Sequence, residues 1–295
     1  MSTPIPIYPA ARPLELADKR LFQEHFRALQ PLVSELSFAN LFLFRQAHHY
    51  SVTAVADSVV IFGCGYDGQP YFLPPISGER GAAACRLLQE GHTLYGADEP
   101  FLADNLEGGG FALAADRDND DYLYLRSELA ELPGNRFHKK KNRINYFALR
   151  HNFSVEPYAT SHLPGALQLL DEWQRVHVDG MSRSLAAETA ATREGLALAE
   201  ELGLNGVVVL TGGKVAAFAL GEQLNDTTTV CHFEKADPFL EGLAQLVNRE
   251  FSRSQPPACT CINREQDLGE RGLREAKLSY HPVGMVRKFR VRQAG

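Results

Sequence analysis

The chain has 295 residues, 44% of them hydrophobic and 22% charged, with a formal net charge of -6 and a pI near 5.9. That length and composition can fill one large core or two ordinary ones, and they exclude a collagenous or wholly disordered chain. The acidic balance argues against a protein that coats nucleic acid, while leaving room for local basic patches that grip phosphate.

Met1 to Pro13 carries no basic stretch followed by an apolar core, and no apolar run reaches bilayer length, so a soluble, cytoplasmic protein is expected. The five cysteines, at 64, 85, 231, 259 and 261, are odd in number and lack framework spacing, which suits a reducing compartment. Cys259 and Cys261 would share one face of a strand, but without a second pair they predict no metal site.

Residues 14 to 46 read as helical from the stripe Leu14, Leu21, Phe22, Phe26, Leu29 and Val33, followed by the aromatic run Phe38 to Phe44 as a buried hinge. Tyr50 to Pro75 predicts an antiparallel meander with turns at Ala56-Asp57 and Tyr66-Asp67-Gly68. A helix over Arg80 to Glu90 follows. Residues 98 to 131 hold ten Asp and Glu against only Arg117 and Arg126. Within them Asp116 to Asp121 lacks the glycine and closing glutamate of a calcium loop and reads as a solvated turn. The sign then reverses, since Arg136 to Arg150 carries six Lys and Arg and no acid. As a helix it would hold Phe137, Ile144 and Phe147 on one face and a cationic stripe on another, a pattern suited to a polyanion.

The second half predicts a strand over Phe153 to Tyr158, helices over Leu163 to Val176 and Ala187 to Leu202 around a loop with Gly180, and strands over Gly206 to Leu210, Val215 to Leu220 and Thr227 to Phe233. A helix over Gly242 to Ser252, a strand over Ala258 to Ile262, a helix over Glu270 to Tyr280 and a strand over Val286 to Arg292 complete it. Thr211-Gly212-Gly213-Lys214 is too short for a phosphate-binding loop and reads as a hairpin turn. Asn263-Arg264-Glu265-Gln266-Asp267 crowds charge and amide groups where a strand opens toward a helix, a candidate site on a mixed scaffold. Both halves follow a similar programme, which places two domains at 1–150 and 151–295.

Two helices, three antiparallel strands, helix, strand, helix, strand is the order of the Gcn5-related N-acetyltransferase fold. The runs Cys231-His232-Phe233-Glu234-Lys235-Ala236-Asp237, Ile262 to Gly269 and Gly272 to Tyr280 resemble the DUF2156 proteins, which are similar to the C-terminal catalytic domain of bacterial phosphatidylglycerol lysyltransferase and, more distantly, to Fem-type aminoacyltransferases. The resemblance covers essentially the whole chain, including Lys139 to Asn145. It implies an α+β, mixed α/β fold of tandem acetyltransferase-like domains, each a mostly antiparallel twisted sheet flanked by helices. It also implies a donor lying in the splay between the strands ending at Phe233 and Ile262. In coenzyme-A-dependent relatives a glycine-rich turn binds the pyrophosphate. Here Gly242 and Ala244 fit that pattern, but Phe239 and Glu241 oppose it.

The resemblance thus implies an acyltransferase that passes an aminoacyl group from an aminoacyl-tRNA to an amine or hydroxyl, on a lipid head group or a soluble molecule. The alternatives are an acyl-coenzyme-A N-acyltransferase and a non-catalytic binding module on the same fold. For this chemistry Lys139, Lys140 and Arg143 would hold phosphate, with Asn263 and Tyr280 as further substrate contacts. Glu234, Glu265 or Asp267 would take the incoming amine or hydroxyl, and Arg264, Arg274 or Lys277 would hold the oxyanion or leaving group, with His232 assisting. Strand alternation puts His232 and Glu234 on one face. In the blander reading Arg264 and Glu265 merely pair with each other and His232 is a buried, hydrogen-bonded residue. The basic tail Arg287 to Arg292 reads either as a peripheral membrane contact or as an edge strand with a cationic face.

Overall fold

The structure, a computed structural model, describes residues 4–108, 110–176 and 182–294; the loop expected around Gly180 lies outside them. The chain forms two compact units. One comprises Met1–Asp121, Gln266–Arg274 and Met285–Gly295, the other Tyr122–Glu265 and Glu275–Gly284.

In chain order the first stretch gives β1 (Arg12–Pro13), α1 (Lys19–Leu29), α2 (Phe38–Leu43), β2 (Ser51–Val55), β3 (Ser58–Cys64), β4 (Pro70–Phe72), α3 (Arg80–Gln89), β5 (Leu94–Ala97), α4 (Glu99–Asn105) and β6 (Phe111–Ala115). There follow β7 (Asp121–Leu125), α5 (Arg126–Glu131), α6 (His138–Ala148), β8 (Phe153–Pro157), α7 (Leu163–Val176), α8 (Arg183–Ala197), α9 (Ala199–Leu202), β9 (Asn205–Thr211), β10 (Lys214–Asn225) and β11 (Thr228–Ala236). Last come α10 (Leu243–Ser254), β12 (Cys261–Asn263), α11 (Arg271–Leu278), β13 (Gly284–Val286) and β14 (Phe289–Gln293).

The fold is α+β, with two mostly antiparallel seven-stranded sheets, ordered β1-β2-β3-β4-β5-β14-β6 and β13-β7-β12-β11-β10-β9-β8. Each sheet has a meander that meets a parallel neighbour: β4 with β5 in one, β11 with β12 in the other. Each is also completed by a strand from the far half of the sequence, β14 between β5 and β6 and β7 beside β12. This exchange is why the compact units divide at 121/122, whereas the repeated programme in the sequence suggested 150. The basic helix α6 consequently belongs to the second unit.

Local chemistry explains the elements. Phe22 and Phe26, one turn apart, are the buried face of α1, and their rings meet at 5.9 Å. The Ser37 side chain caps α2 by accepting the Asn40 N–H, and Asp98 caps α4 by accepting that of Phe101. The expected aromatic hinge is buried from Phe38 to Leu43, along α2, and half-buried at Phe44. On the other face Val60, Phe72, Leu87, Leu88, Leu94 and Val291 form one core.

Two expectations for the first unit are corrected. The basic tail is no edge strand, because β14 pairs with β5 on one side and β6 on the other. The acidic turn is not solvated at its end, because Asp120 and Asp121 are buried. Both corrections have one cause. Lys288 is fully buried and donates to Glu35 Oε2 at 2.5 Å and Asp121 Oδ1 at 2.7 Å. Asp121 also accepts the N–H and hydroxyl of Ser34, while Glu35 accepts from the Tyr95 hydroxyl and the Gln266 amide. Burial pushes the Glu35 carboxyl up, and Lys288 pulls it part of the way back.

Removing the cation leaves two carboxylates sharing a dry site, which costs far more than an intact pair contributes. Lys288→Met is therefore expected to destabilise the protein by about 3–5 kcal/mol, read as a lowered urea midpoint, and Lys288→Met with Glu35→Leu and Asp121→Asn should recover most of the loss.

Candidate active site

The sheet of the second unit opens between β11 and β12. Their parallel pairing covers only Thr228 with Cys261, Thr229 with Ile262 and Val230 with Asn263. Beyond it β11 continues along β10 to Ala236, while the chain after β12 turns at Glu265, held at a φ of 55°. The strand expected from Ala258 is thus only Cys261 to Asn263, and Cys259 precedes it.

A bulge accompanies the opening. Pairing steps from Leu220 with Phe233 to Gly221 with Cys231, so His232 has no partner across the ladder. One extra residue thus stands in β11 at His232. The His232 ring is only 1% exposed and lies between two carboxylates, with Nδ1 at 2.7 Å from Glu265 Oε1 and Nε2 at 3.0 Å from Glu222 Oε1. Burial alone would lower its pKa, but the two carboxylates outweigh that and push it up to about 9. At neutral pH it is an imidazolium donating from both nitrogens.

Arg264 does not pair with Glu265. Its Nη2 donates to both Glu234 oxygens, at 3.2 and 3.3 Å, and its guanidinium lies 4.9 Å from the Tyr280 ring centre and 5.7 Å from that of Tyr124. Glu234 also accepts from Asn248 Nδ2 at 2.9 Å. Asn263, fully buried, accepts the Glu265 N–H at 2.8 Å and so shapes the turn. Lys277, 8% exposed, donates to the main-chain carbonyls of Arg264 and Glu265. Its charge secures the backbone that carries Arg264.

The basic helix supplies the remaining cation. Lys140 Nζ donates to Ser279 Oγ at 2.7 Å and sits 4.0 Å from the Tyr280 ring centre. Burial, with Arg264 and Arg143 adding repulsion, lowers the Lys140 ammonium to about 8. Lys139 and Arg143 are exposed on the same helix. Glu234, Arg264, Lys140 and Tyr280 therefore converge, while His232, Glu265, Asn263 and Lys277 brace the turn behind Arg264.

Two expected residues lie elsewhere. Asp267 and Arg274 belong to the first unit, where fully buried Asp267 accepts from Arg274 at 2.8 and 2.9 Å and from Arg117 at 3.2 Å, and Arg274 also reaches Asp118. Sequence reasoning missed Asn248, Glu222 and Ser279. Asn248 left a signal: with Ser252 it makes a polar i,i+4 pair on the otherwise apolar inner face of α10.

The sequence signature described as phosphatidylglycerol lysyltransferase, C-terminal, matches residues 26–292. The chain belongs to this family. Among solved structures, a conserved protein of unknown function from Bacteroides thetaiotaomicron is similar at 30% identity, with 95% of this chain and 98% of that one covered and a TM-score of 0.86. The C-terminal DUF2156 domain of a putative lysylphosphatidylglycerol synthetase from Agrobacterium fabrum shares the fold at 12% identity, with 95% and 93% covered and a TM-score of 0.63. L-PGS from Bacillus licheniformis shares it at 12% identity, with 90% and 94% covered and a TM-score of 0.59. No curated protein matches the sequence.

Membership of the phosphatidylglycerol lysyltransferase C-terminal family makes the chain an acyltransferase in general class. Among the described residues no helix is long and apolar enough to cross a membrane, and no group of three or more His, Cys, Asp and Glu is placed to hold a metal ion. The helix start compared above with a pyrophosphate turn has a packing explanation in this family member. Gly242 has a φ of 92°, and a Cβ there would lie 1.9 Å from the Arg143 carbonyl oxygen. The glycine lets α10 approach α6. The Leu243 N–H already donates to Leu240, and Ala244 is exposed.

Two outcomes follow. Gly242→Ala should destabilise by about 2 kcal/mol or more, read from the urea midpoint, since strained φ and backbone overlap act together. His232 has its folded pKa raised from 6.5 to about 9, so its contribution, about 3 kcal/mol, is complete below pH 6.5 and disappears as pH climbs through 9. Urea midpoints measured from pH 6 to 10 should fall over that window, and His232→Gln should remove most of the fall.

Proposed function

We propose that the protein transfers an aminoacyl group from a charged tRNA to a hydroxyl or amine acceptor, using the convergence of Arg264, Glu234 and Lys140 where β11 leaves β12. The observation that carries this reading is Lys140, a half-buried lysine shifted down to about 8 beside an arginine held in place by a carboxylate. A lysine so placed exists partly as the free amine near neutral pH, as a general base requires.

In the proposed reaction neutral Lys140 Nζ takes the proton from the acceptor hydroxyl or amine. The acceptor attacks the ester carbonyl carbon, and the guanidinium of Arg264 holds the oxygen as it becomes negative. The tetrahedral species collapses with cleavage of the bond to the terminal ribose oxygen, which takes the proton back from Lys140. Glu234 accepts from Arg264 and Asn248 at once, so its role is to orient the guanidinium and offset its charge. Lys139 and Arg143, exposed on α6, meet the tRNA phosphates. Coenzyme A is the weaker donor because Gly242 faces the Arg143 carbonyl, and Glu241 adds negative charge at the helix start.

The test offers tRNA charged with labelled amino acids, beside labelled acyl-coenzyme A, with phosphatidylglycerol vesicles in one set and small soluble amines in another. Label should move from the tRNA, and tRNA affinity should fall steeply with salt, Lys139→Ala with Arg143→Ala flattening the log–log slope by about 2. Label moving from acyl-coenzyme A, with tRNA inert, overturns the proposal. For the acid–base role, kcat/KM should rise through about pH 8, the lowered Lys140 value. Lys140→Arg should lose about a hundredfold or more and show no such inflection. Arg264→Ala should cost about 10²–10³ in kcat while Arg264→Lys restores only part.

A further inference from the structure

Two buried polar atoms flank Glu234, and neither has a hydrogen-bond partner: Arg264 Nη1, a donor, and Asn248 Oδ1, an acceptor. Asn248 is 1% exposed, on the inner face of α10. Its orientation is fixed chemically, because Nδ2 must face the Glu234 carboxylate to which it donates at 2.9 Å, and turning the amide over would set oxygen against oxygen. Likewise Nη2 of Arg264 is taken by Glu234, which leaves Nη1. Leaving a buried donor and a buried acceptor unmade costs about 1–3 kcal/mol each, so each calls for a partner that the chain's own side chains do not supply.

A single ligand that satisfies both would offer an acceptor and an N–H or O–H donor. An α-amino ester does so with its carbonyl oxygen and the nitrogen on the adjacent carbon. A simple acyl thioester offers the carbonyl alone. We propose that Arg264 Nη1 and Asn248 Oδ1 form the pocket that reads the α-amino ester of the donor, Arg264 on the carbonyl oxygen and Asn248 on the free α-amino group. This rests on the aminoacyl-transfer reading and adds to it a requirement for an unblocked α-amine. Asn248 then acts as a specificity residue, because a buried acceptor left unpaired by the wrong ligand rejects that ligand more strongly than lost contact area would.

The test uses stable mimics of the charged tRNA end: 3′-amino-3′-deoxyadenosine bearing at its 3′ nitrogen L-alanyl, L-lysyl, Nα-acetyl-L-alanyl or acetyl. Affinities for the full chain are read by calorimetry. A free-amine mimic, alanyl or lysyl, should bind at least about tenfold more tightly than the Nα-acetyl and acetyl mimics. Asn248→Leu, which removes the unpaired acceptor while filling the space, should erase that preference. Asn248→Ser with the same thermal midpoint as wild type serves where the leucine variant does not fold, and should weaken the preference. Equal binding of free and blocked amines by the wild-type protein, or binding of no mimic while charged tRNA is turned over, overturns the pocket and leaves the aminoacyl-transfer reading standing. Turnover of acyl-coenzyme A with charged tRNA inert overturns that reading itself.

Discussion

Everything at the candidate site depends on how little of β12 pairs with β11. Three residue pairs hold the two strands parallel, and then the strands part. The parting leaves the end of β11 with a neighbour on one side only, and the bulge at His232 turns the side chains that follow out of register with the ladder. A strand edge inside a sheet would leave main-chain groups unpaired, so the turn after β12 is held by side chains. Asn263 takes the Glu265 N–H, Lys277 takes two carbonyls, and the His232 imidazolium takes the Glu265 carboxylate. These contacts fix Glu265 in a left-handed conformation that a non-glycine residue adopts only under constraint. Arg264 is aimed by the residue that follows it.

The first unit makes the same opening and closes it. There β4 and β5 are parallel over a single pair, Phe72 with Leu94. The residues that follow β4 are Leu73, Pro74, Pro75 and Ile76, all buried, where β11 continues with His232, Phe233, Glu234 and Lys235. Two prolines have no N–H to leave unsatisfied, so an apolar filling costs little. The first unit places its buried charge at Lys288, Glu35 and Asp121, where each ion has a partner and Tyr95, Ser34 and Gln266 saturate the carboxylates. In the second unit Arg264 Nη1 and Asn248 Oδ1 have no hydrogen-bond partner, and that contrast with the saturated carboxylates of the first unit is what the proposed donor pocket rests on.

Most of the element order was legible in the sequence because periodicity and turn chemistry are local. The meander over residues 50 to 75, the helix over Leu163 to Val176 and the hairpin at Gly212-Gly213 all stand where pattern puts them. The exchange of β7 and β14 was not legible, since a strand does not encode which sheet it joins. That is why the basic tail read as an edge when Lys288 is buried, and why the acidic turn read as solvated when Asp121 is its counterion. At the site, Glu234 and Arg264 were visible as charge near strand ends, and Lys140 as part of a basic helix expected to hold phosphate. Their division of labour was not, because it depends on which carboxylate meets which cation. Glu265 went to His232, and Arg264 was left for Glu234.

That division has an electrostatic consequence. Arg264 is balanced by Glu234, and His232 by Glu222 and Glu265, whereas Lys140 has a hydroxyl and an aromatic ring for neighbours. A proton on Lys140 is therefore the charge in the cluster held least firmly, with Arg264 and Arg143 repelling it and burial withholding water. Acyl transfer moves a proton from acceptor to leaving oxygen and builds negative charge on a carbonyl oxygen between the two events. The firmly held cation is suited to the oxyanion, since it need not reorganise, and the loosely held proton is suited to the transfer. Exchanging the two roles would ask a balanced guanidinium to give up its proton and the most weakly held proton of the cluster to stay in place as the oxyanion's counter-charge.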